Sequence, residues 1–146
     1  MLFVYCCKII EDVINTEVSK MVKRGNQVEH DRMVQSVVNY IKEQGHFDIR
    51  ADLKRFNTPA LIYWETTGKG YIPDVTSKNI RSYIFEVETD DSIDNLHVEN
   101  EWRLFWAHAK QTSKAFIVVV PEGSEQRAWQ RAMDLGIDLD NVWTIV

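Results

Sequence analysis

Cysteine is nearly absent. The 146 residues contain two, and these are neighbours, Cys6 and Cys7. Adjacent cysteines supply neither a disulfide framework nor the spaced pairs of a zinc site, so the chain reads as a reduced, cytoplasmic protein. Long apolar runs are missing too. Met1 to Cys7 is apolar but far shorter than the ~20 residues that cross a bilayer. It also lacks the basic start and small-residue cleavage site of a signal peptide. The expected role of this segment is an extra element packed on the core or on another subunit, with no membrane partner. Internal repeats, low-complexity tracts and long linkers do not occur. A chain of this length fits one domain with a core that needs no disulfides. Positive charge is in deficit, with a net charge of −5. That argues against a bulk electrostatic grip on nucleic acid, though not against a local one. The deficit is uneven: Glu86 to Glu101 contains no lysine or arginine.

What is present is a regular alternation of helix and strand patterns. Residues 6–24 place Ile10, Ile14 and Val18 on one helical stripe, and Gly25 ends it. This gives an N-terminal helical extension over 1–25 and a single domain over 26–146. Asn26-Gln27-Val28-Glu29 matches a capping box. The helix that follows puts Met33/Val34, Val37/Val38 and Ile41 on one face, with Gly45 just past its end. His46 to Phe56 alternates as a strand, and Ala60 to Trp64 is a second apolar run. Thr66 to Gly70 is a turn by composition. Asp90-Asp91-Ser92 predicts a helix start, with the helix running to about Gln111 on a stripe of Val98, Trp102, Phe105/Trp106 and Ala109. Ala115 to Val120 has no polar alternation and predicts a strand buried on both faces. A short helix over 125–135 and a last strand over 142–146 complete the order. Three consecutive strands followed by helix–strand crossovers predict an α/β fold, a mixed sheet with helices on both faces.

The chemistry concentrates in Tyr71-Ile72-Pro73-Asp74-Val75 and Tyr83-Ile84-Phe85-Glu86-Val87-Glu88-Thr89. Residues two apart on a strand share a face, about 6.5–7 Å apart. Glu86 and Glu88 therefore face one way with Ile84, and Phe85 and Val87 the other. If the two segments pair through the intervening turn, Asp74 joins them. Three like charges this close repel unless something positive sits among them. The usual solution is a hard divalent cation with oxygen ligands, Mg²⁺ or Mn²⁺ in its place. Such a site suits phosphodiester hydrolysis, with Asp74 and Glu86 as metal ligands and Glu88 orienting water or adding a ligand.

Pro73-Asp74, then Glu86-Val87-Glu88, resembles the PD-(D/E)xK motif of the restriction-endonuclease-like nucleases. The resemblance covers residues 27–121 and implies a core order of αβββαβ, here with a C-terminal αβ added. It also implies Asp74 and Glu86 as the metal pair, Glu29 as an accessory acid on the first core helix, and a DNA substrate. The family's lysine is Glu88 here, so its positive charge must come from elsewhere, with Lys110 and Lys78 as candidates, or the site is degenerate. In the degenerate case the domain binds nucleic acid or a protein partner without cutting. Many members of the superfamily dimerise or act in larger assemblies.

Other residues are weighed beside these. His97, nine residues past Glu88, is placed to shuttle a proton or contact phosphate, or is structural. His30, His46 and His108 read as structural. Trp102, Trp106, Trp129 and Trp143 read as core, while Trp64 either packs or stacks a base. Arg50, Lys54 and Arg55, with Lys20, Lys23, Arg24 and Arg32, are the basic groups dense enough to approach a phosphate backbone, or simply form a solvated face.

Overall fold

The computed structural model describes residues 3–6 and 26–145. The helix expected over 6–24 and the stop at Gly25 lie outside the described residues, apart from Cys6. The elements are β1 (Phe3–Cys6), α1 (Gln27–Glu43), β2 (Phe47–Ala51), β3 (Leu61–Trp64), β4 (Gly70–Tyr71), β5 (Val75–Lys78), β6 (Ser82–Val87), α2 (Leu96–Gln111), β7 (Ala115–Pro121), α3 (Glu125–Asp134) and β8 (Asn141–Ile145).

Five strands form one mixed sheet in the order β2-β5-β6-β7-β8. The first two pairings are antiparallel and the last two parallel. The parallel strands are joined through α2 and α3, as parallel connections require a crossover. Alternation along the strands sorts the core into two layers. On one face Val75, Phe85, Val87, Ile117 and Val119 pack with Met33, Val34, Val37, Val38 and Ile41 of α1. On the other, Ile84, Phe116, Val118 and Val120 pack with Trp102, Leu104 and Phe105 of α2 and Ala128 and Ala132 of α3. The run Ala115–Val120 is buried at every position, as a central strand covered by helices on both faces demands.

The remaining strands form a second sheet, β1-β3-β4, antiparallel throughout. The apolar N-terminal segment thus contributes an edge strand beside Leu61–Trp64. β4 lies so close to β3 that a Cβ on Gly70 would sit 2.5 Å from the Ile62 carbonyl oxygen and 2.6 Å from Tyr63 Cβ. Only glycine fits there.

Three local expectations are corrected. The strand expected over His46–Phe56 ends at Ala51, because the chain then turns, with Phe56 N–H donating to Leu53 O and Arg55 at a positive φ of 74°; within the strand Asp48 takes a positive φ of 48° and the register with β5 shifts between Phe47 and Arg50. α2 begins at Leu96 rather than at Asp90, capped by Asn95, whose side chain accepts the His97 N–H. Residues 89–94 are successive turns, closed by Ser92 N–H to Thr89 O and Asn95 N–H to Ser92 O. Trp129 is not core: 41% of its surface is exposed.

Candidate metal centre

β6 carries glutamates into the interior. Its pairing with β5 and β7 on either side leaves only its two faces to decide burial, and both are covered by helices. Glu86 follows Ile84 on the α2 face, and Glu88 continues it. Both have no exposed surface. A surface acidic patch is therefore excluded at this position.

α2 brings a third acid to the same place. Carboxylate oxygens of Glu86, Glu88 and Glu101 all lie within 4.8 Å of one another, and Glu101 is as buried as the other two. Glu88 is fixed at both oxygens. Ser92 Oγ donates to Oε2 at 2.6 Å, and the Trp102 indole N–H donates to Oε1 at 3.3 Å. Each carboxylate oxygen has two lone pairs, so these bonds orient Glu88 without using up its capacity as a ligand. The turns after β6 thus have a use: Ser92, expected to cap a helix, instead turns its hydroxyl onto Glu88. That turn is tied to α3 by Arg127, which donates to Asp90 at 2.7 Å and Asp94 at 2.8 Å.

Asp74 is buried just before β5. Val75 pairs with Phe85, so the next step along both strands brings Asp74 across from Glu86. The backbone ladder ends there, and the Val87 N–H is taken by Asp74 Oδ2 at 2.8 Å. The same oxygen lies 3.2 Å from His30 Nε2, reaching over from α1. The other ring nitrogen of His30 faces Asp31 Oδ1 at 3.3 Å. Asp74 is not one of the three acids grouped around Glu86.

The accessory candidates, Glu29 and His97, are not among the three grouped acids. Glu29 is part-exposed and serves the N-cap: its N–H donates to Asn26 Oδ1 at 3.0 Å, and its carboxylate accepts from Asn26 Nδ2 at 3.3 Å. One residue on, the ring of His30 is what α1 offers to Asp74. His97 is half-buried at the start of α2, edge-on to Tyr71 with ring centroids 6.2 Å apart. Burial raises the Tyr71 hydroxyl above its usual pKa, against a hydrogen bond with Asn100 that lowers it.

Sequence reasoning misses Glu101 and His30 when each is taken apart from its stripe. On α2, positions 98, 101, 102, 105, 108 and 109 follow the i, i+3, i+4 rule, so Glu101 and His108 occupy core positions of an apolar face. On α1, His30 stands in the same relation to Met33 and Val34. A polar residue on a buried stripe is the available signal. His108 is 1% exposed, and desolvation lowers its imidazole from 6.5 to about 4, so it is neutral at pH 7.

The donors are all oxygens at the triad, the preference of Mg²⁺ and Mn²⁺, and three buried carboxylates supply the negative charge that such an ion needs. The residues present therefore fit a hard divalent cation, held by Glu86, Glu88 and Glu101. No protein-family model, curated protein or solved structure matches the chain.

Proposed function

We propose that the chain is a divalent-metal-dependent nuclease-like domain of the restriction-endonuclease type, hydrolysing DNA phosphodiester bonds. The observation that carries this reading is the meeting of Glu86, Glu88 and Glu101 within 4.8 Å in the interior. Like charges gathered there call for a cation. The main sheet is compatible with it: α1 precedes the antiparallel strands β2, β5 and β6, then come α2 and the parallel β7, while β3 and β4, inserted between β2 and β5, belong to the second sheet.

A Mg²⁺ or Mn²⁺ ion in the triad would supply Lewis acidity toward a phosphoryl oxygen. The chain's own groups do the rest. Ser92 and Trp102 hold Glu88 in one orientation. Asp74, fixed by the Val87 N–H, lies 3.2 Å from the imidazole of His30. The burial of all three glutamates keeps bulk water from the charges and strengthens every interaction among them. It also means that substrate gains access through a local opening.

The second reading is a degenerate nuclease-fold module that binds nucleic acid or a protein without cutting. Glu88 favours it: both oxygens at the family's lysine position are engaged by neighbours, and neither neighbour carries a positive charge. Purified protein incubated with single- and double-stranded DNA and Mg²⁺ or Mn²⁺ separates the two. The nuclease reading expects metal-stimulated cleavage that Glu86→Gln and Asp74→Asn abolish. Metal binding by calorimetry without cleavage of any DNA supports the second reading, and silence in both assays overturns the metal centre itself.

A further inference from the structure

Beside the small sheet, a cleft of about 290 Å³ opens over the antiparallel half of the main sheet. Its lining includes Arg50 of β2, Lys78 of β5 and Lys114 just before β7, with the hydroxyls of Thr76 and Ser82. Strand register shows why they converge. Arg50 pairs with Thr76, Thr76 with Ile84, and Lys78 with Ser82. Lys114 precedes Ala115, the partner of Tyr83, and so falls on the side of Ser82. Directly paired residues project from the same face of a sheet. All five therefore stand on the face that bears Ile84, which is also the face of Glu86, about 6.5–7 Å further along β6. Asp48 is the one acid among the lining residues, and it holds both flexible cations, Lys78 Nζ at 3.2 Å and Arg50 Nε at 3.5 Å. In a chain of net charge −5, three cations and one acid in one cleft form a local reversal of sign.

We propose that this cleft binds the phosphate backbone of a nucleic-acid strand and directs it along β6 toward the glutamate centre. The cations stand at two heights on the sheet, Arg50 level with Ile84 and Lys78 and Lys114 level with Ser82, which suits successive phosphates, and the Thr76 and Ser82 hydroxyls add contacts such groups favour. Lys114 is half-buried, and burial lowers its amine below the usual pKa. An anion in the cleft stabilises its charged form. Asp48 acts as the internal competitor: an incoming phosphate must displace it from Arg50 and Lys78. That the strand is DNA, and that it is cut, rests on the nuclease reading; the phosphate site does not.

The test is fluorescence anisotropy with labelled DNA oligonucleotides, single- and double-stranded, in chelator so that no divalent ion contributes. Wild type binds, and affinity falls with salt. Arg50→Gln with Lys78→Gln, both on exposed side chains, weakens binding about tenfold or more. It also reduces the log–log salt slope by roughly 0.7–0.9 for each phosphate that is no longer neutralised. Asp48→Asn, which keeps a residue tolerant of positive φ, tightens binding severalfold. A merely structural role for Asp48 predicts no such gain. Equal affinity of wild type and the double variant, or no binding by wild type, overturns the proposal. Full competition by millimolar inorganic phosphate alone also overturns it, since it reassigns the cleft to a small anion. Calorimetry with Mn²⁺ on the same samples reads the glutamate centre independently, so either site can fail without the other.

Discussion

Single residues in this protein are most exposed to change where a charge or donor is buried with fixed partners. Glu88 accepts from two side chains that have no access to water. Glu88→Ala leaves the Ser92 hydroxyl and the Trp102 indole N–H facing a cavity, at a cost of about 1–3 kcal/mol for each stranded donor. Glu88→Gln retains acceptor capacity on one side and should cost less than half as much in urea unfolding. Glu88→Lys, which puts the lysine of the resembled motif at this position, points an ammonium at the indole N–H, and it should unfold the protein rather than activate it. His108 gives a pH dependence. Its folded value of about 4 lies below the unfolded 6.5, so the unfolded chain binds the extra proton. The stability it contributes is whole above pH 6.5 and is lost as pH falls toward 4, on the order of 3 kcal/mol. Melting curves between pH 7 and 4 should fall less steeply for His108→Gln than for wild type.

At the scale of the element, the main determinants are backbone geometry and capping. Asn26→Ala removes the acceptor for the Glu29 N–H at the start of α1 and should cost ~1 kcal/mol. Gly70→Ala should cost more, because the new methyl meets the backbone of β3 inside van der Waals contact and β4 must shift. Near-ultraviolet circular dichroism of Tyr63, Trp64 and Tyr71 would report that shift as a change in signal. Most elements are legible in the residues themselves. The stripes of α1 and α2, the buried run of β7 and the β5–β6 hairpin all follow from periodicity and a turn. What is not legible depends on contacts across the fold. The start of α2 moves to Leu96 because Ser92 bonds Glu88 rather than a helix N–H. β2 stops at Ala51 because the chain turns over 53–56 with Arg55 at a positive φ, and neither that turn nor the left-handed backbone of Asp48 has a pattern to announce it. Asp74 and Glu86 can be found from their strands, but Glu101 comes from a helix and joins Glu86 only through packing.

For the whole molecule, a metal held by the three glutamates, as proposed, would link stability to the ion. An ion that binds the folded state alone stabilises it by RT ln(1 + [L]/Kd), about 2.7 kcal/mol at a hundredfold excess over Kd. That corresponds to a rise of roughly 5–11 °C in Tm for a domain of this size. Wild type should show the rise with Mn²⁺ and Mg²⁺ and lose it in chelator. Glu86→Gln and Glu101→Gln should melt at one temperature with or without the ion. A rise that persists in both variants would place the ion elsewhere. No helix among the described residues is long and apolar enough to cross a membrane.

The irregular β2 has one more consequence, for the company the molecule keeps. β2 ends the five-stranded sheet, and an end strand offers unpaired backbone groups to any passing chain. Here the positive φ of Asp48 and the shifted register break that row, and charged side chains stand along it. A second molecule cannot extend the sheet there in regular steps. The kink that gathers Arg50 and Lys78 into the cleft therefore also guards the sheet against growing into an aggregate.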